Sequence, residues 1–361
     1  LNQDKSLLRD SLFILPDSPI RGSAGVIYRE NSSLRRLKEV SYTSCPPNNQ
    51  DWVLHADKMK INDVTGNASI KQGWLAFKQV PIMYIPYGSF SIDDRRKSGF
   101  LMPSFGLSGR NGFDITAPFY WNIAPNYDLT VYPRYMGERG FMLGADFRYL
   151  GDSYRGEIDI EVLPEDQLAK SEDELAATRW GGSIKHQHQL MDNLRLDVDA
   201  NYVSDKDYFT DLEGNLGTGN RSQYLSSRLD LNYQLSWLSL NAHIDNYQNI
   251  NPMENDSNLP YRRLPQIQLN LHKSIDDLPI DLAWESEYVN FQRHISDGNL
   301  EAQRLNVKPS ISFPLRSEAG FITPKVALQH TQYWLGAGEN TDQDSLSKTL
   351  PLISLDSGLY F

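Results

Sequence analysis

The chain has 361 residues, 40% hydrophobic and 22% charged, with a formal net charge of −11. Its mean hydropathy of −0.51 is that of an ordinary acidic soluble protein. The longest apolar stretch, around residues 80–90, is too short and too rich in Pro and Gly for a membrane-spanning helix, and no basic face suited to nucleic acid emerges. Cys45 is the only cysteine, which excludes an internal disulfide and a multi-cysteine zinc site. Composition leaves a β-barrel open, because alternating strands average to a polar hydropathy. The start, Leu1-Asn2-Gln3-Asp4, has no apolar export-signal core, so such a signal is expected to be removed or to lie outside this sequence.

Residues 1–94 carry strand-like runs: Trp52-Val53-Leu54-His55-Ala56, Ala68-Ser69-Ile70 and Trp74-Leu75-Ala76-Phe77. Asn, Asp and Gly break them, and no ten-residue rhythm appears, which predicts a small β-domain of short strands. Residues 78–98 read as its last strands plus a junction.

From about Gly99 the apolar residues recur at every second position, in segments of roughly ten residues, which is a strand period. Leu194, Leu196, Val198, Ala200 and Tyr202 alternate with Arg195, Asp197, Asp199 and Asn201. Leu229, Leu231, Tyr233 and Leu235 hold odd positions, and after Ser236-Trp237 the apolar set moves to Leu238, Leu240, Ala242 and Ile244. Such a phase change predicts a tight hairpin. Leu305, Val307, Ile311, Phe313 and Leu315 give way in the same manner to Ile322, Val326 and Leu328. The pattern predicts roughly fourteen strands, more than a typical sandwich uses. Short links near residues 124–127, 151–153, 191–193, 236, 274–279 and 317–320 alternate with longer polar ones at 164–178, 204–222, 248–262, 292–302 and 336–348. Outer-membrane barrels sort their connections this way, with short periplasmic turns and long extracellular loops. Counting back, the first strand (about residues 99–108) starts at the short-turn end, so the preceding segment is expected in the periplasm.

Several longer motifs carry a resemblance. They are Tyr42-Thr43-Ser44-Cys45-Pro46 followed by Trp52, Val80-Pro81-Ile82-Met83-Tyr84-Ile85-Pro86-Tyr87, and Asp94-Arg95-Arg96-Lys97-Ser98-Gly99-Phe100-Leu101-Met102-Pro103. Pro118-Phe119-Tyr120-Trp121-Asn122-Ile123-Ala124-Pro125-Asn126, Arg139-Gly140 and Phe147-Arg148-Tyr149-Leu150 complete the series. Together, from about Arg21 to Asp166, they resemble the LptD family of outer-membrane lipopolysaccharide assembly proteins, and beyond Asp166 the likeness weakens to strand rhythm. The resemblance implies an all-β fold: the C-terminal part of a periplasmic β-jellyroll with an apolar interior over residues 1–94, whose beginning would lie outside this sequence, and a transmembrane antiparallel β-barrel over residues 95–361. Family barrels would have about twenty-six strands, so this chain would hold the N-terminal half. A closed fourteen-stranded barrel also satisfies the strand count.

The resemblance further implies an outer-membrane translocon of a Gram-negative bacterium that inserts lipopolysaccharide into the outer leaflet, without catalytic residues, cofactor or metal. Its expected partners are lipopolysaccharide, an LptE plug lipoprotein, periplasmic bridge proteins such as LptA that add by strand pairing, and the barrel assembly machinery during insertion. Cys45 matches a family position that pairs with a cysteine outside this sequence. Pro103 and Pro118 match positions that loosen the pairing of the first barrel strand with the last, a lateral gate; the bland alternative is a bulge that only sets twist.

Trp74, Phe77, Ile82, Tyr84 and Ile85 are candidates for a lipid groove, although alternation sends only one parity inward and core packing explains the other. Arg95, Arg96 and Lys97 at the junction either contact lipid phosphates or form a salt-bridged cap with Asp93 and Asp94. His186 and His188 share a strand face and suit a metal or plain barrel positions. Glu165-Asp166 with Glu172-Asp173-Glu174 suits divalent ions or a solvated loop. Two other classes compete with the translocon: a passive porin with a closed, water-filled lumen, and an outer-membrane lipase, for which no ordered Ser-His pair or G-x-S-x-G motif stands out.

Overall fold

The structure, a computed structural model, describes residues 5–14, 21–46, 51–92, 96–101, 103–170, 176–212, 216, 223–295, 298–336 and 344–360. It divides into two compact units, Leu1–Ser104 with Ala117–Val131, and Phe105–Thr116 with Tyr132–Phe361. The domain boundary expected near residue 94 falls on residues 93–95, outside the described residues.

The first unit contains an antiparallel sheet of six strands paired in chain order: β1 (Ser6–Ile14), β2 (Arg21–Arg29), β3 (Leu34–Thr43), β4 (Trp52–Asn62), β5 (Asn67–Phe77) and β6 (Val80–Ser91). The strands are longer than the broken runs of sequence suggested. The reason is a line of residues left out of the pairing register midway along every strand: Asp10, Gly25, Glu39, Asp57, Gln72 and Pro86. Asp10, Glu39 and Gln72 take positive φ, 47°, 54° and 53°, and turn the pleat over at that point. The buried positions therefore switch parity across the line, from Leu37 to Val40, from Met59 to Ala56 and from Ile70 to Gly73. A period-two search sees two short strands where the chain makes one. Leu37, Val40, Ala56, Met59 and Ile70 form the core, with Ile27, Leu54, Ile61 and Ile85 packed on it.

Four short strands follow: β7 (Gly99–Phe100), β8 (Ser104–Ser108), β9 (Gly112–Thr116) and β10 (Phe119–Ala124). After them comes β11 (Tyr127–Met136). In the second unit a long antiparallel meander continues through β12 (Gly140–Leu150), β13 (Tyr154–Lys170), β14 (Ala176–Met191) and β15 (Leu194–Val203). A five-residue helix, α1 (Tyr208–Leu212), precedes β16 (Tyr224–Gln234) and β17 (Leu238–Asn249). Then come β18 (Arg262–Ser274), β19 (Asp281–Ile295), β20 (Gly298–Ser312), β21 (Leu315–Ser317), β22 (Gly320–Leu335) and β23 (Ser345–Leu359). Proline lies in the gap between β7 and β8, between β9 and β10, and between β20 and β21 (Pro103, Pro118 and Pro314). Joining those interrupted pairs leaves fourteen strand positions from β7 to β23 among the described residues.

Register converts the alternation into two faces. Phe147 and Ile184 flank Ile158, Leu231 lies opposite Leu196 and Ala242, Leu240 opposite Leu269, and Leu305 opposite Tyr288. Directly opposed residues share a face, so these side chains make one apolar band, and Ile160, Ile184, Trp284, Val326 and Leu328 on it are exposed. The other face pairs Asp197 with Asp230, Asn232 with Asn241 and Gln268 with Glu287. The hairpin expected at Ser236-Trp237 joins β16 to β17, with Gln234 opposite Ser239.

The connections differ from expectation in two places. The long link expected at 164–178 is mostly strand, since β13 and β14 run on to Lys170 and from Ala176; that expected at 292–302 is a hairpin with Ile295 opposite Gly298. Polar residues there continue the ladder instead of leaving it, because strand pairing satisfies their backbone groups as well as water does. Long connections remain at 204–223, 250–261 and 336–344.

Ile70 is 2% exposed at the centre of the first unit's core. Ile70→Ala is expected to destabilise that unit by about 2–5 kcal/mol through a cavity, read as a lower denaturant midpoint without a change in slope.

Candidate functional site

The expected gate residues stand at breaks in pairing. Pro103 separates the two-residue β7 from the five-residue β8, and Pro118 separates the five-residue β9 from the six-residue β10. Across the break one bond holds: the Leu101 amide donates to the Pro118 carbonyl over 2.8 Å. β7 meets β10 only at Phe119–Phe100 and Tyr120–Gly99 in register, and β9 meets β11 only through Thr116, Ile115 and Asp114. By contrast β19 and β20 pair continuously from Asp281–Ser312 to Ile295–Gly298. The division into units falls after Ser104, the first residue of β8, after Thr116, and within β11 after Val131.

At the junction, Arg95 lies outside the described residues, as do Asp93 and Asp94. Arg96 forms an ion pair with the buried carboxylate of Asp128. It also donates to the Tyr120 hydroxyl (2.9 Å) and the Pro125 carbonyl (3.1 Å), while Asn122 Nδ2 donates to the Arg96 carbonyl (2.9 Å). Lys97 donates to the Gly66 carbonyl. Trp74, Phe77, Ile82 and Tyr84 are exposed, the last two at 53% and 63%, and only Ile85 packs on the core. Trp74 stacks on His55, with ring centroids 5.1 Å apart and planes 14° apart. Burial lowers the His55 pKa from its ordinary value. Cys45 is a free, partly exposed thiol whose Sγ donates to the Trp52 carbonyl over 3.8 Å.

His186 and His188 take the apolar-face parity and sit among aromatic rings. Nδ1 of His186 lies 2.7 Å from the Tyr149 hydroxyl, and Tyr154 packs against both imidazoles. Of the acidic loop, Glu172, Asp173 and Glu174 lie outside the described residues. Asp166 is not in a solvated loop but fully buried on β13.

Asp166 belongs to a charged knot that sequence reading did not find. Its Oδ2 accepts from Arg139 Nη1 (2.7 Å) and Arg179 Nη1 (3.0 Å). Arg179 also grips Asp205 at 2.6 Å and Asp211 at 2.9 Å, and Arg139 donates to Asn111 at 2.8 Å. Arg134 pairs with Asp114 and caps the Leu212 carbonyl at the end of α1 (2.5 Å). Beside the knot, Met136, Met142, Leu163 and Val203 bury Tyr208, Leu212 and Leu216, and the Tyr208 hydroxyl donates to Glu161 at 2.8 Å. A Cβ at Gly181 would press on the tip of the Leu216 side chain, which would have to shift, and approach Tyr208 and Val203. The segment after β15 is thereby pinned to the polar face. Tyr208, Leu212 and Leu216 at four-residue spacing within a polar loop were the legible signal.

Burial acts to raise the Asp205 carboxyl, but hydrogen bonds from Arg179 and Ser204 outweigh it and hold the group below its ordinary value. Its contribution to the knot is present above the unfolded carboxylate range, roughly pH 4, and is lost as pH falls through the depressed value. Asp166→Ala leaves two buried guanidinium groups short of a partner and is expected to cost about 3–5 kcal/mol. Limited proteolysis should then cut within residues 205–212 at neutral pH, where the unsubstituted protein is cut only in acid.

The comparisons with known proteins agree with this architecture. A family model for LptD, described as LPS transport system D, matches residues 177–361. The LPS-assembly protein LptD of Methylococcus capsulatus is 39% identical over 361 residues, covering 100% of this chain and 34% of that protein. Its namesakes from Aromatoleum aromaticum and Azoarcus sp. are each 36% identical, over 96% and 94% of this chain and 43% and 41% of theirs. The chain thus spans between about a third and somewhat under half the length of these relatives. The quoted motifs lie before Asp166, whereas the family model matches the later strands, so the family likeness does not weaken to strand rhythm beyond Asp166 as the sequence reading expected. With half of the chain matched by that model and all of it aligned to such relatives, the chain belongs to the LptD family.

Proposed function

We propose that this chain is part of an outer-membrane translocon, the end of its periplasmic jellyroll and the first half of its barrel, that receives lipopolysaccharide in the periplasm and inserts it into the outer leaflet through a lateral gate at β7–β10. The observation that carries the reading is the interruption of both early strand positions by proline, against unbroken strands of 15–16 residues in β19, β20 and β22. In hydrocarbon every unpaired backbone group costs several kcal/mol, so barrels pair all their strands fully unless a seam has to part. Proline lowers the cost of parting by removing a donor that would otherwise need a partner.

The cargo sets the remaining requirements. Each lipid CH₂ exposed to water costs about 0.8 kcal/mol, so acyl chains must leave sideways into the bilayer, while the sugars need a hydrated passage. The apolar band and polar face of the meander supply the two environments. In this reading the first unit lies in the periplasm and extends a β-bridge through strand addition by proteins such as LptA. An LptE plug occupies the lumen, and the assembly machinery inserts the barrel. Cys45 is disulfide-bonded to a cysteine outside this sequence, for which its partly exposed thiol is suited. Arg96, engaged by Asp128, acts as a cap at the junction more than as a phosphate contact.

Cells carrying Pro103→Ala and Pro118→Ala together are expected to insert lipopolysaccharide more slowly and to become sensitive to large hydrophobic antibiotics. Surface lipopolysaccharide labelled at the normal rate in such cells, with normal amounts of folded protein, contradicts the gate.

A further inference from the structure

We propose that Asp146, Glu157 and Asp159 bind a calcium ion on the polar face of β12–β14, with the hydroxyl of Ser183 as a fourth protein ligand. Asp146 lies directly opposite Asp159 in register, and Asp159 directly opposite Ser183, so the three side chains form one row across three strands. Glu157 is two residues along β13 on the same face. One oxygen from each of the three carboxylates lies within 4.8 Å of the others. Two like charges opposed across strands repel, and among the described residues neither Asp146 nor Asp159 forms an ion pair with a basic side chain. Arg148 and Lys185 are the basic residues opposite Glu157 in register, one position removed from that pair.

A separate observation points to a missing ligand partner. Ser183 is 1% exposed and its Oγ has no hydrogen-bond partner among the described residues; the same is true of the buried Oδ1 of Asp146. Leaving such an atom unsatisfied costs about 1–3 kcal/mol. A cavity of about 110 Å³ opens beside the three carboxylates, bounded also by Tyr132, Gly144 and Leu216; Ser183 is not in its lining but stands opposite Asp159, which is. The cavity exceeds the ~30 Å³ share of a single water and leaves room for an ion with part of its hydration shell. Oxygens bound to one Ca²⁺ at about 2.3–2.6 Å can stand up to about 5.2 Å apart, whereas Mg²⁺ at about 2.0–2.1 Å limits them to about 4.2 Å. A bound of 4.8 Å on the separations lies within the Ca²⁺ range, and small side-chain adjustments would bring all three oxygens to one ion. The ion would tie three consecutive strands together from the polar side.

The test is calorimetric titration of the intact detergent-purified protein with CaCl₂ and MgCl₂ after chelator treatment. One saturable Ca²⁺ site per chain is expected, weaker for Mg²⁺. Its affinity should fall at least tenfold in Asp146→Asn and in Asp159→Asn, fall less in Ser183→Ala, and stay unchanged in Asp197→Asn. Co-purified lipopolysaccharide would bind calcium equally in every variant and is thereby separated. Terbium luminescence sensitised through Tyr132 and displaced by calcium gives a second readout that needs no variant. Calcium affinity equal in all variants, or no calcium-displaceable terbium signal in the unsubstituted protein, overturns the proposal.

Discussion

The structure depends on one constraint: every backbone donor and acceptor in the meander must find its partner on the neighbouring strand. Antiparallel pairing satisfies that demand, and it also fixes register. Register in turn gathers the alternate side chains of β12 to β23 into one apolar and one polar face. A one-residue slip would exchange the faces, so burial on either side enforces the ladder that created it. A chain with 22% charged residues can in this way present a wide apolar surface.

The same constraint gives the interruptions their meaning. Pro103 and Pro118 sit where the ladder is reduced to pieces of two to six residues, and the Leu101–Pro118 bond spans the gap. Pro314 interrupts a strand as well, yet Leu315–Ser317 resumes pairing with β22 at once. Pro324 on β22 and Pro351 on the adjacent β23 lie within an unbroken ladder, so proline alone does not thin pairing; what distinguishes Pro103 and Pro118 is that each stands in a gap between short strands. In the first unit the ladder is interrupted differently, by a line of unpaired residues that turns the sheet without a break in strand order.

Much of the second unit was legible because period-two alternation is local: the shift of parity at Ser236-Trp237 fixes a hairpin from a dozen residues. Loop lengths were less legible. Residues 164–170 and 292–302 are polar enough for loops, and their partner strands, not their composition, keep them in the ladder. The positive-φ residues Glu39 and Gln72 broke the pattern in the first unit and hid continuous strands. The knot around Asp166 was invisible for another reason. Its bonds join residues 13 to 78 positions apart, such as Arg179 with Asp166 and Arg134 with Leu212, and no motif encodes that proximity. Of the expected site residues, the positions of Pro103 and Pro118 at the ends of short strands could be read from the sequence, although proline alone marks no break, since Pro309, Pro324 and Pro351 lie within β20, β22 and β23. The groove residues could not, because which parity faces inward is decided by the turn in the pleat at Gln72.

The central claim is that one face of the meander meets lipid and the other water. Site-directed spin labelling tests it most directly: single cysteines along β15 and β16 in a Cys45→Ser background, reconstituted in bilayers, with collision rates measured for oxygen and for a polar nickel reagent. Oxygen access should peak at positions 196, 198 and 200 on β15 and at 229 and 231 on β16, with nickel access in antiphase at 195, 197, 199, 228 and 230. Equal access along both strands, or nickel access peaking at Val198 and Leu229, would contradict it.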